Sequence, residues 1–100
     1  MSTRATVHFQ FNRKDVAIIY RHSDGYPEGL GRDLESFLDD VQENVSDTRF
    51  DDPSSLAAKF IVWQADMYHG QHMLDFLDVG VVLTDPCDIE YRYNVECNGG

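Results

Sequence analysis

Ala5-Thr6-Val7-His8-Phe9-Gln10-Phe11-Asn12 is the stretch on which the reading of the chain turns. Successive side chains of a strand point to opposite faces, so Val7, Phe9 and Phe11 share one side while Thr6, His8 and Gln10 share the other. This alternation predicts a half-buried strand. Arg13-Lys14-Asp15 reads as a turn. Residues 16–22, rich in β-branched and aromatic side chains, read as the returning strand of a hairpin.

Beyond it the period changes. Asp24-Gly25 is a turn dipeptide, and Pro27 presets φ for a turn or a first helical position. Leu30, Leu34, Phe37, Leu38, Val41 and Val45 then recur at helical spacing, which predicts a helix ending near Ser46. After a polar loop over residues 47–52, Asp52-Pro53-Ser54-Ser55 announces a second helix reaching His69, with Gly70 as its stop. Residues 79–84 read as a third strand, residues 85–88 as a turn and residues 89–96 as a fourth strand. The order β-β-α-α-β-β predicts an α+β fold: a four-stranded antiparallel sheet built from two hairpins, with two helices on one face. One domain over residues 1–97 and a loose tail over 98–100 are expected.

The 100 residues are 42% apolar and 12% aromatic, enough for a modest core without metal or disulfides. No apolar run approaches the ~20 residues that span a bilayer, and residues 1–5 lack the apolar stretch of a secretory signal, so a cytoplasmic protein is expected. Cys87 sits in a predicted turn and Cys97 at the far end of the strand after it. The ends of such a strand lie roughly 20 Å or more apart, beyond disulfide reach, so two free thiols are expected. Charge is unevenly placed. Residues 1–32 carry five Lys/Arg and three Asp/Glu, whereas residues 33–100 carry three and fifteen, so the whole net charge of −10 resides in the later part. Such a chain repels nucleic acid and anionic membrane; a charged partner would be basic.

Three passages, the opening Met-Ser-Thr-Arg-Ala, residues 20–31 (Tyr-Arg-His-Ser-Asp-Gly-Tyr-Pro-Glu-Gly-Leu-Gly) and residues 88–93 (Asp-Ile-Glu-Tyr-Arg-Tyr), together resemble a family of small proteins of phages, prophages and other mobile elements. The resemblance spans most of the chain, and the Asp-Gly-Tyr-Pro-Glu-Gly block is its most specific part. It implies a phage-like setting and carries no assigned activity, so it brings no functional residues with it.

No motif names a reaction. Walker A, dinucleotide-binding and His-Glu-x-x-His patterns are missing from the sequence. His22, Ser23 and Asp24 do not make a catalytic triad, because neighbours on an extended chain diverge. His69 and His72, even with Cys87 and Cys97, lack the close ligand pairs of a structural zinc site, and no cofactor is expected. Arg21, His22, Asp24, Tyr26 and Glu28 could converge on a small polar ligand; the plainer reading is a strand-to-helix connection that needs its turn residues. The second helix carries apolar residues nearly all round. That suggests either burial on several sides or a homodimer interface anchored by Trp63 and Tyr68.

The first helix carries the sharper signal. Opposite its apolar side, Glu35, Asp39 and Glu43 stand one turn apart, with Asp33 and Asp40 flanking and Asp47, Asp51 and Asp52 continuing into the loop. Like charges at that spacing destabilise a helix by roughly 0.2–0.5 kcal/mol per pair, and no lysine lies between them. The bland reading is the solvated face of an acidic protein. The functional one is a surface that presents carboxylates, ~6 Å apart along the axis, where a basic partner expects phosphates. The leading expectation is therefore a non-enzymatic inhibitor of a host nucleic-acid-binding defence complex, analogous to anti-CRISPR proteins. A ligand-binding or enzymatic domain centred on residues 21–29 is the alternative, and a structural or assembly protein the third.

Overall fold

The computed structural model describes residues 3–44, 52–66 and 79–97. β1 (Ala5–Phe11) and β2 (Lys14–Arg21) form the expected antiparallel hairpin. Its loop is Asn12-Arg13, with φ of 51° and 65°, rather than residues 13–15. Positive φ at both central residues makes a tight turn whose twist matches the strands, so Lys14 is already paired with Phe11. The register shifts once: Phe9 faces Ala17, but Gln10 faces Asp15, leaving Val16 as an extra bulged residue.

A single π-helical turn, Pro27–Gly31, leads into α1 (Arg32–Asn44), so the regular helix begins slightly later than its apolar period. α2 spans Pro53–Asp66. Asp52 caps it: its Oδ1 accepts from the Ser54 hydroxyl at 2.8 Å and the Ser55 N–H at 3.2 Å.

The sheet corrects the sequence reading. β3 (Val79–Val82) and β4 (Tyr91–Glu96) do not form a hairpin. The strand order is β3-β2-β1-β4, with β3 antiparallel to β2 and β4 parallel to β1. The fold is thus α+β with a four-stranded mixed sheet, not an antiparallel one. Residues 83–90 cross from one edge of the sheet to the other. Extended at ~3.3 Å per residue they reach roughly 26 Å, ample for the roughly 14 Å between the two outer strands. Cys87 and Asp88 do form a turn, but it does not join a hairpin, because the segment around it finds partners on β1 and at Arg4 just before it. Asp85 meets Thr6 and His8, Asp88 pairs with Arg4, and the Glu90 N–H donates to the Arg4 carbonyl at 2.8 Å.

The inner face of the sheet presents Ala5, Val7, Phe9 and Ile19 to both helices. Leu34, Phe37 and Val41 come from α1, and Leu56, Ala57 and Phe60 from α2. The Phe60 ring lies 4.9 Å from that of Phe37 and 6.0 Å from that of Phe9. Each large side chain buried here contributes ~1.5–3 kcal/mol. α2 buries one stripe rather than its whole circumference. Gln64 lies in that stripe, while apolar Val62 is 68% exposed. Trp63 is half-buried against Phe37 and Phe60.

Cys87 is exposed, Cys97 is buried, and neither is bonded to the other. Among the described residues no helix is long and apolar enough to cross a membrane.

Candidate functional site

Polar groups gather in three places, and their partners distinguish them. The first lies on the outer face of the sheet. β1 sends Thr6, His8 and Gln10 to that side, and the expectation of a half-buried strand fails there: Thr6 is 0% and His8 2% exposed. The crossing segment covers them. Thr6 Oγ1 donates to Asp85 Oδ1 at 2.6 Å, and His8 Nε2 donates to the same oxygen at 2.6 Å. The bulge at Val16 turns Asp15 to this face, where Gln10 Nε2 donates to its Oδ1 at 2.8 Å. That oxygen also lies 2.9 Å from His8 Nδ1, without the alignment of a hydrogen bond. Arg92, opposite Thr6 on β4, stands 3.6 Å from Asp85 and 3.8 Å from Asp15.

These contacts set the carboxyl groups. The Gln10 hydrogen bond, with smaller help from His8 and Arg92, holds Asp15 below its ordinary value against a modest effect of burial. Burial alone would raise Asp85; the Thr6 and His8 hydrogen bonds and the charges of His8 and Arg92 together bring it below its ordinary value. Thr6 and His8 lie beneath residues 83–90, while Asp15, Asp85 and Arg92 at the margin keep part of their side chains in water. Chemically the cluster is a fastening: it holds the crossing segment to the sheet.

The second place is the connection over residues 21–29, whose polar residues do not converge. Arg21 lies on the inner face and donates to Asp33 Oδ2 at 2.8 Å, Gln64 Oε1 at 3.1 Å and the Ser23 carbonyl at 3.1 Å, tying the end of β2 to both helices. His22 sits instead with Tyr20 and Arg4, its Nδ1 accepting from the Tyr20 hydroxyl at 3.0 Å and from Arg4 Nε at 3.4 Å. Asp24, at φ 55°, accepts from the Tyr26 hydroxyl at 3.3 Å, and its charge raises the Tyr26 phenol. Glu28 is exposed in the π-helical turn.

The glycines of this block meet backbone rather than space for a ligand. A Cβ on Gly25 would stand 2.6 Å from the Ala5 Cβ, and one on Gly29 2.4 Å from the Asp24 carbonyl oxygen. The Gly25 N–H donates to the Thr3 carbonyl at 2.9 Å, and the Tyr93 hydroxyl donates to the Gly25 carbonyl at 2.7 Å. Burial of Tyr93 raises its phenol accordingly. The Asp-Gly-Tyr-Pro-Glu-Gly block is therefore built as a close-packed corner.

The third place is the outer face of α1. Glu35 and Asp39 are exposed one turn apart, and neither forms an ion pair among the described residues. Asp40 is exposed beside them, on the side toward α2. Asp33 belongs to Arg21 and Asp52 to the cap of α2. Glu43 lies on α1, but its side chain is outside what the structure describes, as are Asp47, Asp51, Tyr68, His69 and His72. Sequence reasoning missed the His8 cluster. Its one local signal is a histidine and a threonine on the polar face of a strand otherwise fit for burial.

Comparison with protein-family models, curated proteins and solved structures finds no match to this chain.

Proposed function

We propose that this chain is a non-enzymatic interaction protein of a phage-like element. It binds a basic host protein, one that handles nucleic acid, through the outer face of α1 and so keeps phosphates from the same lysines and arginines. The observation that carries this reading is the exposed pair Glu35 and Asp39, unpaired among the described residues on a helix of a chain with net charge −10. The distribution of cations supports it. Arg4, Arg21 and Arg92 each face a carboxylate within the fold, and Lys59 Nζ donates to Ser55 Oγ at 2.6 Å. Of these, Arg21 meets α1 only at Asp33; on α1 itself Arg32 stands three residues before Glu35, and no lysine or arginine follows it in the helix. The resemblance to mobile-element proteins supports the setting. The ligand-binding alternative is weakened by Arg21 and His22 serving different partners.

The test is capture of host nucleic-acid-binding complexes on tagged protein, followed by displacement of their nucleic acid. Binding is expected to fall steeply from low to physiological salt. The paired variant E35Q/D39N is expected to displace nucleic acid several-fold less well. Equal displacement by the variant would end this reading.

A further inference from the structure

We propose that the groove between α1 and the free edge of β4 takes an extended peptide segment of the basic partner, which adds to the sheet as a fifth strand. This rests on the reading above and names the form in which the partner binds. β4 is the last strand in the order β3-β2-β1-β4, and among the described residues nothing pairs with its far side. An edge strand turns backbone N–H and C=O groups outward, and another extended backbone satisfies them in register.

Beside that edge runs a groove of about 510 Å³, with Leu34 and Leu38 of α1 on one wall and Tyr93 and Val95 of β4 on the other. An added strand would send every second side chain over these four residues, so the occupant alternates apolar residues with others. The charge at the rim selects the remainder. Glu35 and Glu96 border the groove and both are exposed, Glu96 with its Oε1 also accepting from the Arg13 N–H at 2.7 Å, against Arg32 as the one cation among the described lining residues. Lysine or arginine at the intervening or flanking positions meets this rim. A second copy fits poorly, since each chain brings a net charge of −10 to the same acidic border. Glu35 also belongs to the acidic face of α1, so groove and face form one continuous surface.

A short blocked peptide alternating lysine and valine is the probe. It is compared with its two alternately N-methylated forms, one methylated on the lysines and one on the valines. Each keeps the charge and side chains but loses hydrogen bonding along one edge. Titration followed by NMR should move the amides of residues 91–96 and the methyls of Leu34 and Leu38. One methylated form should bind like the parent peptide. The other should lose about tenfold or more, because two or three backbone hydrogen bonds go unmade. Equal binding of both forms, or shifts confined to Glu35 and Asp39, overturns strand addition and leaves the acidic face to its own displacement test. No binding of the parent peptide at millimolar concentration overturns it as well.

Discussion

Two regions of this molecule are rich in carboxylates, and they stand in opposite relation to their surroundings. On the outer face of the sheet Asp85 accepts from two side chains and Asp15 from one, each with Arg92 within 4 Å. On α1, Glu35 and Asp39 face water. The difference shows what an acidic residue is for. A carboxylate surrounded by donors holds the chain to itself. One that repels its neighbour across a helical turn, and forms no ion pair among the described residues, does not hold the fold together and faces outward.

The comparison breaks most visibly at His8. Replacing His8 by Ala removes one of the two donors to Asp85 Oδ1, leaving Thr6, and it opens a void beneath the crossing segment at a residue 2% exposed. Losing one partner of such a pair, together with the cavity, costs about 2–4 kcal/mol. In a domain of this size that lowers the melting temperature by roughly 10 °C or more. Hydrogen exchange should accelerate first in residues 83–90. If the melting temperature of H8A stays within a few degrees of wild type, the cluster is not a fastening and the contrast with α1 collapses.

A second break comes with acid. Asp15 and Asp85 are both held below their ordinary values in the folded chain. A carboxyl depressed on folding contributes stability above its unfolded value, near 3.9, and loses it as pH falls through the lower folded value. Denaturant melts should therefore show stability decreasing with falling pH below about 4. That slope should be shallower in D15N/D85N, which has neither group to protonate. An unchanged slope in the double variant would mean that the donors around these two carboxylates do not favour their charged forms.

How far these regions were legible in the sequence follows from the range of the forces involved. The first hairpin and both helices rest on period and on neighbours close in the chain, and residues 5–11, 16–21, 32–44 and 53–66 took the forms their patterns imply. The acidic face is equally local, since spacing alone puts Glu35 above Asp39. The sheet order was out of reach. Residues 85–88 have the composition of a tight turn and Cys87-Asp88 make one; what keeps it from closing a hairpin is the meeting of Asp85 with His8 and of Asp88 with Arg4, across more than seventy positions of chain. Asp15 was hidden for another reason. Counting by twos places it on the inner face with Ala17 and Ile19, and only the bulge at Val16 turns it outward. Gln64 carried no signal of its own in the sequence; it is buried, with its Oε1 accepting from Arg21 of β2.

The smallest effect is the most discriminating, because its sign is opposite in two measurements. Changing Glu35 to Gln and Asp39 to Asn removes two like-charge spacings from α1, 35/39 and 39/43, and touches no partner among the described residues. Relief of that repulsion is worth about 0.2–0.5 kcal/mol per pair, so the melting temperature should hold or rise by a few degrees. Low salt should enlarge the gain, since screening already mutes the repulsion in the wild type at higher ionic strength. The same substitution should weaken displacement of nucleic acid from a basic host protein. A residue kept for the fold gives the reverse order, with stability falling and binding following it down. Should E35Q/D39N melt lower than wild type, the two carboxylates have partners within the chain, and the acidic face would then belong with the His8 cluster.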